Sequence, residues 1–114
     1  MLAQRDGIIA AMGERGWRVV DVDESPAEWW ADEFLEFASD WSPAGARVVL
    51  TFLVDPQHGG LRRKGDAVWD VVAAAERPEA PTTEGPCLSL GRGWQDRVAS
   101  FVAELEQFRT AERR

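Results

Sequence analysis

The chain has 114 residues, enough for one domain that buries its own core without disulfides or metal. Its composition is ordinary for a globular protein, 45% hydrophobic and 29% charged, and a formal net charge of −7 disfavours nucleic acid or an anionic membrane as partner. A single cysteine, Cys87, excludes an internal disulfide and points to a reducing compartment; no run approaches the ~18 apolar residues of a membrane span. The first residues lack the basic region and apolar run of a signal peptide, so a cytoplasmic location is expected.

Residues 2–15 place Leu2, Ile8, Ile9 and Met12 on a helical stripe, and Gly16 fits the stop after Arg15. Trp17 to Asp23 is rich in β-formers and predicts a strand. Ser25-Pro26-Ala27-Glu28 has the pattern of a helix start, with a capping serine, a proline in first position and a glutamate three residues after the cap. Beyond it, helical spacing groups Trp30, Phe34 and Phe37, whereas alternation from Glu33 to Trp41 groups Leu35, Phe37, Ser39 and Trp41. We read one helical turn over 26–31 and then a strand, because Trp41-Ser42-Pro43-Ala44-Gly45 makes a turn.

Ala46 to Asp55 is β-branched and apolar on both faces, as an inner strand should be. Pro56 ends it, and a Gly-rich connection over 55–66 leads to a strand over Ala67–Ala75, with Trp69 and Val71 on one face. Residues 76–86 carry three prolines and predict a mobile loop. Cys87 to Leu90 is a short strand broken by Gly91-Arg92-Gly93. Trp94, Val98, Phe101, Val102, Leu105 and Phe108 then form the clearest amphipathic helix of the chain, and a tail over 110–114 is expected to fray.

Short connections between successive strands imply antiparallel pairing. The expected architecture is α+β: one domain over 1–114, a two-layer sandwich in which an antiparallel sheet of about five strands carries the N- and C-terminal helices on one face. The expected core is Val49, Phe52, Trp69, Val98, Phe101 and Leu105.

The segments Trp41-Ser42-Pro43, Leu50-Thr51-Phe52-Leu53-Val54-Asp55-Pro56, Arg63-Lys64-Gly65 and Val68-Trp69 resemble a family of small uncharacterised bacterial proteins. The resemblance implies a folded bacterial domain. It brings no assigned activity and no site residues.

No motif of catalysis, metal binding or nucleotide binding stands out. His58 and Cys87 are the lone histidine and cysteine, which excludes a zinc site of the usual Cys/His type. A nucleophilic pair of the two, oriented by Asp55 or Asp70, is outweighed by the plainer reading of His58 as a loop residue and Cys87 as a small buried hydrophobe. No catalytic residue, metal ligand or cofactor is therefore assigned. The basic loop residues Arg62, Arg63 and Lys64 offer a phosphate or ligand cradle, without the spacing of a P-loop. A solvated loop pairing with acids of the same chain explains them better.

The acidic block is the remaining signal. Eight carboxylates lie from Asp21 to Asp40, interleaved with Trp29, Trp30, Phe34 and Phe37. Trp29, Trp30, Asp32, Glu33 and Glu36 are the candidate binding residues, on the expectation that an indole sits exposed among the acids as a hot spot for a basic protein partner. Covering of the same aromatics by a homodimer is the competing account. The expected function is a non-enzymatic acidic protein-binding module of adaptor, chaperone or immunity type. The alternative is a small-molecule-binding domain or minor enzyme using the sheet face and the 55–66 loop.

Overall fold

The structure, a computed structural model, describes residues 2–24, 30–40, 46–54, 68–80 and 84–111. Local sequence explains the first boundary. Helix α1 (Leu2–Gly13) unwinds through tight turns in which the Arg15 and Gly16 amides donate to Met12 O and Gly13 O. Gly16 then adopts φ 86°, a left-handed conformation that glycine enters without a Cβ penalty, and the chain reverses into β1 (Trp17–Asp23). Its carbonyl accepts the Asp40 amide at 2.7 Å, which ties the turn to the end of β2.

Strands β2 (Ala31–Ser39), β3 (Arg47–Val54), β4 (Val68–Ala74) and β5 (Cys87–Ser89) follow, and helix α2 (Trp94–Ala111) closes the described chain. The sheet runs in sequence order, β1-β2-β3-β4-β5, with every neighbouring pair antiparallel. This is the α+β sandwich expected. The segment from Ala31 to Ser39 is strand throughout, so the alternating pattern prevailed over the helical one; of the turn read over 26–31, residues 26–29 lie outside the described residues. Of the loop over 76–86, residues 84–86 are tied back to the end of β4. The Gly85 amide donates to Ala73 O, the Ala73 amide donates to Pro86 O, and the Ala75 amide donates to Glu84 Oε1.

Both helices cover one face of the sheet. Ile8 and Met12 of α1 and Val98, Phe101, Val102 and Leu105 of α2 meet Leu35, Phe37, Val48, Leu50, Phe52, Val71 and Leu88. The helices approach closely where α1 has no side chain: a Cβ at Gly7 would lie 2.8 Å from the Trp94 indole. Of the expected core, Phe52, Val98, Phe101 and Leu105 are in this layer, and the Trp69 side chain lies outside the described residues. Val49 is buried as expected, but in a second layer. It is buried on the opposite face with Trp30, Ala31 and Phe34, since it stands three positions from Phe52 on a regular stretch of strand, and side chains an odd number apart point to opposite faces. There Trp30 meets Phe34 edge to face at 5.8 Å, and the Arg77 guanidinium stacks 4.1 Å above the Phe34 ring. Among the described residues no helix is long and apolar enough to cross a membrane.

Candidate functional site

The acids of the central block are mostly paired. Arginines from four parts of the fold reach them: Arg5 of α1 takes Glu24 and Glu33, each at 3.0 Å, and Arg18 of β1 takes Asp40 at 3.0 Å. Arg47 of β3 takes Glu36 at 2.8 Å, and Arg77 after β4 takes Asp23 at 2.9 Å. The hydrogen bond to Glu33, then that to Glu24, holds the Arg5 guanidinium above its ordinary range against the opposing effect of burial.

Burial separates the candidate binding residues. Asp32 and Glu33 are each 6% exposed, Trp30 is buried against Phe34, and Glu36 is half-buried beneath Arg47. Trp29, His58, Arg62, Arg63 and Lys64 lie outside the described residues. The structure therefore gathers Trp30 and Phe34 into a second apolar layer, and spends Glu33 and Glu36 on ion pairs that join β2 to α1 and β3.

Cys87 is a correction: expected as a small buried hydrophobe, it is exposed. β5 has three residues at the sheet edge, and alternation turns Leu88 into the core while Cys87 and Ser89 share the opposite face. Asp70, the carboxylate nearest to it in register, accepts a hydrogen bond from the Ser89 hydroxyl at 3.1 Å, and Arg97 donates to Ser89 O at 2.9 Å. Among the described residues no three of His, Cys, Asp and Glu gather into a metal site.

The surface that the sequence did not announce is the free edge of β1. Among the described residues it borders the sheet on one side, with β2 as its sheet neighbour. Val19 and Val22, at 36% and 44% exposed, are the large hydrophobic side chains left open among the described residues. In a regular strand residues three apart point oppositely. Here Val19 pairs with Phe37 and Asp21 with Glu36, so Val20 is an extra, bulged residue. The bulge resets the alternation. Val19 beside Phe37 and Val22 beside Leu35 consequently share the helix-bearing face, while Arg18, Asp21 and Asp23 share the other. The run Trp-Arg-Val-Val-Asp-Val-Asp shows a strand, but no residue in it marks where the bulge falls. No family model, curated protein or solved structure matches the chain.

Proposed function

We propose that the chain is a non-enzymatic protein-binding module that meets its partner along the free edge of β1. The observation carrying this reading is the pair of open valines on one face of an edge strand, rimmed by Arg18, Asp21 and Asp23 on the other. An unpaired strand edge offers a row of backbone donors and acceptors to an added strand, and neighbouring side chains select it. The acid-aromatic segment is less suited to contact, because Trp30, Asp32 and Glu33 are buried. Internal pairing also changes the partner expected. With Asp23, Glu24, Glu33, Glu36 and Asp40 each held by an arginine, the edge presents both signs side by side, so complementary alternation matters more than bulk positive charge.

The test is a pull-down from the native lysate with three baits: the parent, Val22→Lys, and Glu28→Gln/Asp32→Asn. A partner retained by the parent and the acid-block variant but lost with Val22→Lys supports the edge. Loss only with the acid-block variant overturns it, and a small molecule released from the parent on denaturation, with no partner lost, favours the ligand-binding alternative.

A further inference from the structure

Resting on the reading that the β1 edge is the contact surface, we infer that the partner seated on it is a second copy of this chain, paired antiparallel in one register. That register sets residue i of one copy opposite residue 41 − i of the other. Val19 then faces Val22, Arg18 faces Asp23, and Val20 faces Asp21, each pair occurring twice about the two-fold axis.

The match is not a general property of any strand. In a regular strand, residues whose numbers sum to an odd value lie on opposite faces, so this register would set side chains back to back. The bulge at Val20 removes the obstacle, because it brings Val19 and Val22 to the helix-bearing face and Arg18 and Asp23 to the other. The neighbouring even register, summing to 40, opposes Val19 with Asp21 and Arg18 with Val22, residues that the bulge places on opposite faces, so it keeps neither the Val19–Val22 nor the Arg18–Asp23 match. The two-fold axis is normal to the sheet, so the two five-stranded sheets join as one with all helices on the same side. Four valines close the gap between the helical layers. On the opposite face Arg18, already 3.0 Å from Asp40 and well exposed, gains a carboxylate from the partner.

Two features oppose the pairing. A bulge and acidic side chains are also devices by which edge strands avoid aggregation, and each copy carries a net charge of −7. At ~0.15 M ionic strength the Debye length is about 8 Å, which mutes the long-range repulsion and spares contacts at the seam. A seam one strand wide buries far less than the ~800 Å² per partner of a standard interface, so the dimer is weak and reversible.

Two measurements decide. Sedimentation velocity over a concentration series in 0.15 M-range salt should show a monomer–dimer equilibrium for the parent and monomer alone for Val22→Lys, whose circular dichroism and thermal midpoint stay unchanged. Register is read by disulfide trapping in a Cys87→Ser background. Val19→Cys and Val22→Cys chains, mixed with oxidised glutathione, should cross-link to each other, while either alone should not, because equivalent thiols lie several residues apart across the axis. A parent that is monomeric throughout overturns the inference, as does a dimer whose single variants cross-link to themselves or whose mixture does not. The proposed function is judged separately: a monomeric parent that still loses a captured partner with Val22→Lys keeps the edge and changes only its occupant, whereas no loss removes both.

Discussion

Cys87 shows how a single position escapes a sequence reading. A lone cysteine in a chain rich in apolar residues is usually buried, but one-residue alternation in a three-residue edge strand is enough to turn it outward. The exposed thiol should therefore label in the native protein at a rate close to that of the urea-unfolded chain, measured with a chromogenic thiol reagent. A native rate slower by orders of magnitude would mean that it is covered. Glu33 is the converse case, an acid expected at the surface and found buried beneath Arg5. Arg5→Met removes a charge-assisted hydrogen bond to a buried carboxylate and should cost about 1–3 kcal/mol by chemical denaturation, more than Arg47→Met at the exposed pair with Glu36. The Arg5 contribution carries no pH dependence near neutrality. Its folded-state pKa is raised, so the stabilisation is complete below the unfolded value and is lost only in strong alkali.

At the scale of elements, periodicity was most legible where one face is buried and the other solvated. Of the α2 residues read from spacing, Val98, Phe101, Val102 and Leu105 are buried against the sheet, and Trp94 and Phe108 are partly buried beside them. Phe101 is 1% exposed, and Phe101→Ala should cost about 3–5 kcal/mol in urea or guanidinium unfolding, enough to threaten a domain of this size. A loss below 1 kcal/mol would remove it from the core. Periodicity was less informative for β3, because both faces are apolar and the sequence alone does not say which layer each valine joins; Val49 went to the face opposite the helices for that reason. β2 was legible as a strand through alternation, but its burial on both faces was not, since Glu33 and Glu36 look solvated until Arg5 and Arg47 arrive from distant segments.

At the scale of the molecule, net charge was a poor guide to the surface. Five acids of the central block are held by arginines from α1, β1, β3 and the segment after β4, and among the described residues the large hydrophobic side chains left open are two valines on a strand edge. Because Val22 lies half in solvent, Val22→Lys should change stability by no more than about 0.5 kcal/mol while altering association, which separates a contact role from a folding role. The sequence by itself determined the element order, the antiparallel meander implied by short connections, and the helix-bearing layer, because hydrophobic period and turn residues are local signals. Only the tertiary structure decided the partner of each acid, the face of Val49, the exposure of Cys87 and the bulge at Val20. Each of those depends on which distant segment arrives alongside, and pairing across 20 or 30 residues leaves no periodic trace in the chain.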